Sequence, residues 1–218
     1  MKIITFLRIV ELRTKIVSLS TFTLALLYSI YRVGTVPVHL AVLTLLAALA
    51  VDMGTTAFNT YFDFIRQVDH KSENLERDKV LVHEGVNPGK ALLSALGCYG
   101  AAVLLGGSIA LVAGWQVAAA GALSMAVGFF YTGGPRPVSF TPLGELFAGG
   151  FLGSVFFLIV VYILTGEVTA ADAAASIPST LMIASVLSTN NACDIVGDTR
   201  AGRRTLAIIL GSPWAERL

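Results

Sequence analysis

Six apolar runs, separated by short polar stretches, decide what this chain can fold into. They cover about 16–33, 37–64, 89–112, 115–131, 142–165 and 177–197. A hydrocarbon layer about 30 Å thick is crossed by roughly twenty residues of α-helix. Backbone that faces lipid must satisfy its own hydrogen bonds, and a single segment does that only as a helix. The expected fold class is therefore all-α, a polytopic transmembrane helical bundle of six helices. Composition agrees: of 218 residues 55% are hydrophobic and 13% charged, and the mean hydropathy is +0.76. A water-soluble domain of this length needs far more polar surface.

Residues 1–15 read differently. Ile3, Phe6, Leu7 and Val10 share one helical face and basic residues lie elsewhere, the pattern of a short amphipathic helix in the interface. Arg8, Glu11, Arg13 and Lys15 interrupt any early apolar core, so no cleavable signal peptide is expected. Cys98 and Cys193 make neither a disulfide framework nor a zinc site.

Orientation follows from the cations. Placing the N-terminus inside puts fourteen of the fifteen Lys and Arg on the cytoplasmic side, with Arg32 alone outside. Under the positive-inside rule that asymmetry is strong. The expected location is the cell inner membrane, with several passes. The net charge of +1 invites no nucleic-acid partner.

Two acidic clusters then fall on the cytoplasmic face. The first is Asn59-Thr60-Tyr61-Phe62-Asp63, continuing to Asp69-His70-Lys71; the second is Asn190-Asn191-Ala192-Cys193-Asp194-Ile195-Val196-Gly197-Asp198. At about 1.5 Å per residue from Pro37, Asn59 and Asp63 lie roughly 33 and 39 Å along their helix, and Asp52 roughly 23 Å, within the hydrocarbon. Asp52, Thr56, Asn59 and Asp63 form one stripe; Asn190, Asp194 and Asp198 repeat the device. A lone carboxylate at a helix end is ordinarily just solvated. An intramembrane carboxyl such as Asp52 is costly and points to function or to a buried hydrogen-bonded role.

Between the second and third runs, 65–88 mixes both charges and fits a short helix over the cavity, or a solvated loop. The turn Tyr131-Thr132-Gly133-Gly134-Pro135-Arg136-Pro137 is tightly defined, and Arg136 faces the same side as the acids. Glu145, at the start of the fifth run, reads as a helix-dipole partner. Carboxylate and amide oxygens suit hard cations, and Mg²⁺ in particular is held by a few carboxylates plus substrate phosphates. Two such helix ends would hold a lipid diphosphate, while Arg and Lys neutralise the charge that grows as its C–O bond breaks.

Three stretches in order resemble the UbiA superfamily of intramembrane prenyltransferases, most nearly its 1,4-dihydroxy-2-naphthoate polyprenyltransferase branch. They are Asn59 to Asp63 with Asp69-His70-Lys71, Tyr131-Thr132-Gly133-Gly134-Pro135, and Asn190 to Asp198 continued by Thr199-Arg200-Ala201-Gly202-Arg203-Arg204-Thr205-Leu206-Ala207. Thr60 stands where the family often has Asp. The resemblance implies Mg²⁺-dependent ionisation of a polyprenyl diphosphate and attack of the allylic cation by an electron-rich aromatic acceptor, as in menaquinone synthesis. It implies Asn59 and Asp63 on one Mg²⁺, Asp194 and Asp198 on another, and Asp69 assisting. Lys15, Lys71, Arg136 and Arg204 become diphosphate-clamp candidates, and Tyr131 faces the cation or the acceptor ring. Asp52, from its stripe position, is the candidate for orienting or deprotonating the acceptor. Family members have about nine spanning helices, so 1–218 is expected to be one UbiA-type domain lacking the last three. Three rival readings stay open: a member that binds lipid diphosphate without turnover, a cation transporter using the acids as its path, and a CDP-lipid alcohol transferase. The acids cluster at one face and the Asp-Gly context of the third is absent, which disfavours the last two.

Overall fold

A computed structural model describes residues 1–70 and 79–211, and what it describes is helical throughout. Helix α1 (Ile3–Ile9) and a 3₁₀ turn (Leu12–Lys15) lead into α2 (Ile16–Val33) and α3 (Val38–Ile65). A single turn, α4 (Val80–His83), precedes α5 (Pro88–Ala113) and α6 (Trp115–Thr132). Then come α7 (Gly144–Ala148), α8 (Phe156–Thr165), α9 (Ala170–Cys193), α10 (Ile195–Arg200) and α11 (Leu206–Leu210). A π-helical stretch, Gly149–Val155, joins α7 to α8 into one rod.

Among the described residues, five rods are long and apolar enough to cross a bilayer: Leu12–Val33, Val38–Ile65, Pro88–Ala113, Gly144–Thr165 and Ala170–Cys193. The chain is an integral membrane protein. The expected sixth span exists as the 18-residue α6, which is not among those five. Large side chains cover the outer faces, as lipid contact requires: Leu104 is 77% exposed and Leu111 91%.

Local chemistry sets the rod ends. Pro88 opens α5 at a position where its missing N–H costs nothing, and the Asn87 side chain accepts from the Gly89 N–H at 2.7 Å. Helix α9 begins at Ala170, about seven residues before the expected start. Thr169 and Asp172 bond each other's backbone in a reciprocal cap, so the polar residues that read as loop are its first turn. Pro178 sits inside α9, and the residues around it, Ser176 and Thr180, meet the rod that holds the π-helical stretch. There Gly153 lies so close to Thr180 that a side chain would start 2.5 Å from its Cα.

Two apolar clusters hold the bundle. Phe22, Leu40, Ile109, Val117, Phe157 and Val160 pack the end where Asp172 lies. Ile9, Val10, Ala57, Phe58, Leu81 and Ala95 pack the end that carries the motifs. The N-terminal segment is thus docked through Phe6 and Val10 of its expected face, together with Ile9. Ile9 and Val10 are fully buried whereas Ile3 is 74% exposed, because Glu11 turns left-handed (φ 46°) and folds the chain back towards α2.

Candidate active site

The last turns of α3 deliver the first motif. Thr60 is tied inward, its hydroxyl donating to the Ile9 carbonyl at 3.0 Å, which leaves Asn59 and Asp63 to point across the bundle. Asn59 Oδ1 accepts from the Thr132 hydroxyl at 2.6 Å, fixing α3 to the end of α6. Arg66 donates to the carbonyls of Thr132 and Gly134, and its guanidinium lies 5.2 Å from the Phe62 ring centre. These contacts explain why the Gly-Gly-Pro turn follows α6 where it does.

The second motif bends. Helix α9 stops at Cys193, Asp194 leaves helical geometry, and α10 restarts, so the expected straight stripe of Asn190, Asp194 and Asp198 is broken at its middle. Asp194 is exposed; Asp198 is buried, 4% exposed. After Gly202 (φ +78°) the chain turns back, the Arg203 N–H donates to the Asp198 carbonyl, and the Arg204 N–H donates to the Phe140 carbonyl. That turn aims Arg203 inward. Its Nη2 donates to Asp63 Oδ1 at 2.8 Å and its Nη1 to Asp198 Oδ1 at 3.0 Å, so acids from both motifs share one guanidinium. Phe140 supports it, 5.3 Å from ring centre to guanidinium carbon.

Charges around this centre shift one another. Burial pushes the Asp198 carboxyl up, helped by Asp194 and Asp63, while Arg203 pulls it down. Burial works against a charged Arg203, but Asp63 and Asp198 outweigh it and hold the guanidinium above its ordinary range. Tyr131 is half-buried within the field of Arg203, Glu145, Asp63 and Asp198. Its hydroxyl lies over Gly144, 3.5 Å from where a side chain there would begin.

Not every sequence candidate joins this centre. Lys15 is buried with Asp52 instead: Nζ donates to Asp52 Oδ1 and Thr56 Oγ1, each at 2.6 Å, and Ser18 donates to Asp52 Oδ2 at 2.5 Å. This pair lies roughly 16 Å back along α3 from Asp63. Asp69 pairs with Lys79 at 3.3 Å, and burial, with the charge of Asp63, pushes its carboxyl up. Arg136 and Arg204 are exposed. Lys71 lies outside the described residues. Sequence reasoning missed Arg203, since nothing in Arg203-Arg204 says which one turns inward. It also passed over Glu145, which is buried and accepts from Asn191 Nδ2 at 2.8 Å.

Among the described residues, no three acidic, His or Cys side chains form a closed metal cage. What is present is an open set of hard oxygens. Asp198 Oδ2 and Glu145 Oε2 are buried without hydrogen-bond partners, as are Ser139 Oγ, Thr205 Oγ1 and Arg203 Nε nearby. Mg²⁺ takes one or two carboxylates and completes its shell with water and phosphate; Asp63 and Asp198, brought together at Arg203 and with Asp198 Oδ2 unpartnered, fit it.

The sequence pattern described as the UbiA prenyltransferase family matches residues 18–218. A 1,4-dihydroxy-2-naphthoate octaprenyltransferase of Bacillus subtilis (strain 168) is 39% identical over 174 residues, 80% of this chain and 56% of the relative. The protein of that name in Mycobacterium tuberculosis is 31% identical over 82% of this chain and 60% of its own length. The chain therefore spans a little over half the length of these relatives. A solved UbiA homolog from Archaeoglobus fulgidus bound to GPP and Mg²⁺ superposes with a TM-score of 0.76 at 17% identity, over 98% of this chain and 71% of that one. Its complex with DMAPP and Mg²⁺ gives 0.73 at 16% identity, over 98% and 72%. With the fold and the motif pair found together, the chain belongs to the UbiA prenyltransferase family.

Proposed function

We propose that this chain, as one UbiA-type membrane domain, transfers a polyprenyl group from a polyprenyl diphosphate to an aromatic acceptor in the presence of Mg²⁺. The proposed acceptor is 1,4-dihydroxy-2-naphthoate, as the names of the bacterial relatives suggest, which gives the chain a role in menaquinone synthesis. The observation that carries the reading is the meeting of Asp63 and Asp198, one from each motif, on a single buried guanidinium. The solved homologue's ligands, prenyl diphosphates with Mg²⁺, support the same donor and metal.

Asn59, Asp63, Asp194 and Asp198 would hold Mg²⁺, which when bound neutralises charge on the departing diphosphate. Arg203 sits where an anion bridging the two motifs would lie, and its fork suits phosphate oxygens. Arg136 and Arg204 at the rim, with Lys71, add further positive charge. Lys15 and Asp69, already engaged by Asp52 and Lys79, act by positioning the walls. Tyr131 offers its ring to the allylic cation. The motif end faces the cytoplasm, because that orientation satisfies the positive-inside rule.

The test is incubation in lipid vesicles with radiolabelled polyprenyl diphosphate, Mg²⁺ and a panel of hydroxylated aromatic acids. The expected product is prenylated dihydroxynaphthoate. Diphosphate release with no prenylated ring would replace transfer by hydrolysis. Undiminished turnover in Asp63→Asn and Asp194→Asn would remove the metal assignment.

A further inference from the structure

The side chain least explained by holding Mg²⁺ and diphosphate is Glu145. It is 5% exposed, and only one of its oxygens is used. Oε1 accepts from Asn191 Nδ2 at 2.8 Å, which fixes the carboxylate against the second motif. Oε2 is buried and accepts nothing. A buried carboxylate oxygen without a donor is costly, so the fold keeps it for a ligand that brings one. Tyr131 lies beside it: its hydroxyl covers Gly144 and feels the charges of Glu145, Arg203, Asp63 and Asp198. Glu145 and the paired acids of the two motifs thus bear on one hydroxyl, that of Tyr131.

Asp52 cannot supply the same thing. Its Oδ1 takes Lys15 and Thr56 and its Oδ2 takes Ser18. Resting on the transferase reading above, we propose that Glu145 is the acceptor-binding base: Oε2 takes the hydrogen bond, and then the proton, of the aromatic acceptor's hydroxyl group. The O–H pair stays on the acceptor oxygen and flows into the ring. A ring carbon forms the new C–C bond to the allylic carbon while the donor's C–O bond breaks, its electron pair leaving with diphosphate. The alkylated carbon then loses its proton to water, and Glu145 returns its proton to the ring oxygen, ending as it began.

Glu145→Gln keeps the size and the oxygen that Asn191 needs. Turnover with a phenolic acceptor should fall about 100-fold or more, while half-saturation by Mg²⁺ and by polyprenyl diphosphate moves less than about threefold. For an acceptor whose hydroxyl is already ionised at the assay pH, the deficit should shrink at least about tenfold, which a merely structural role would not produce. Equal deficits for both acceptors, or a large rise in the Mg²⁺ requirement, would overturn the assignment, the latter making Glu145 a metal ligand. A second arm needs no turnover: equilibrium dialysis of labelled 1,4-dihydroxy-2-naphthoate against vesicles holding either protein without Mg²⁺. Wild type should bind about tenfold more tightly, and equal affinity overturns the proposal. If Glu145→Gln does not insert, Glu145→Asp, which retains the charge but shortens its reach, must show the same acceptor-selective loss. Failure of the parent reading looks different: wild type would release no diphosphate from labelled donor with Mg²⁺ whatever the acceptor.

Discussion

The two ends of the bundle are built from the same ingredients and finished in opposite ways. At one end Asp172, fully buried, takes the Tyr28 hydroxyl on Oδ1 at 2.9 Å. Its Oδ2 takes Arg32 at 2.9 Å and both the N–H and the hydroxyl of Thr169. At the other end Asp198 is almost as buried and also carries an arginine, yet Oδ2 has no partner, nor has Arg203 Nε. A buried ion pair whose lone pairs are all filled is a staple between helices; one left short of donors is a site waiting for a ligand. Burial and charge alone do not separate the two, and the hydrogen-bond inventory does.

That contrast can be broken most decisively at Asp198. Asp198→Asn should lower prenyl transfer by about 10²–10³-fold, with the fraction of folded protein in detergent unchanged. Removing Mg²⁺ with a chelator should abolish the wild-type activity and leave the melting profile nearly where it was. At the other end Asp172→Ala should do the reverse. It leaves Arg32 with Glu167 alone and uncaps α9, so stability should fall by about 2 kcal/mol, read as a lower midpoint in denaturant, while turnover per folded molecule holds. If Asp172→Ala kills turnover without unfolding, the two ends do not divide as described.

Arg203 sharpens the comparison from within the site. Its guanidinium occupies one oxygen of each acid and so competes with any cation for them. Arg203→Gln should therefore lower the Mg²⁺ concentration for half-maximal activity and raise KM for the diphosphate, each by roughly tenfold. A parallel rise in both would mean that Arg203 helps the metal bind.

Much of this architecture is written in local chemistry. The ends of α3 and α5, Val38–Ile65 and Pro88–Ala113, fall within a residue of the apolar runs at 37–64 and 89–112. Their apolar stretches are bounded by Pro37 and Arg66 and by Pro88 and Gly114. The start of α9 was hidden because Thr169 and Asp172 look like loop until each is seen bonding the other's backbone. The π-helical stretch was hidden too, since it answers the close approach of Gly153 to Thr180 on another rod. Sequence pattern picked out Asp63 and Asp198 by spacing. It passed over Glu145 and preferred Arg204 to Arg203, because which neighbour turns inward depends on where Phe140 and Asn191 stand. Lys15 and Asp52 show the same limit: one is a buried cation and the other a partly buried acid, and only the fold makes them each other's partner.

The smallest expected effect concerns the clasp beside the open end. Lys79 lies 3.3 Å from Asp69 and 3.6 Å from Glu11, joining the stretch after α3 to the turn after α1. Burial opposes its charge, but Glu11, Asp69 and Asp63 outweigh it and hold the ammonium above the ordinary lysine value. A lysine raised on folding gives stability that is complete below its unfolded pKa and is lost as pH climbs through the folded one. The clasp should therefore be indifferent to pH from about 6 to about 9 and loosen only in strong alkali. Lys79→Met should cost about 1 kcal/mol, the low figure reflecting its partial exposure and long contacts. The loss should appear as faster amide exchange at Ile9 and Val10, with little change in global unfolding. If those amides exchange no faster in the variant, apolar packing around Phe58 and Leu81 holds the N-terminal segment alone, and the motif end needs no electrostatic fastening at all.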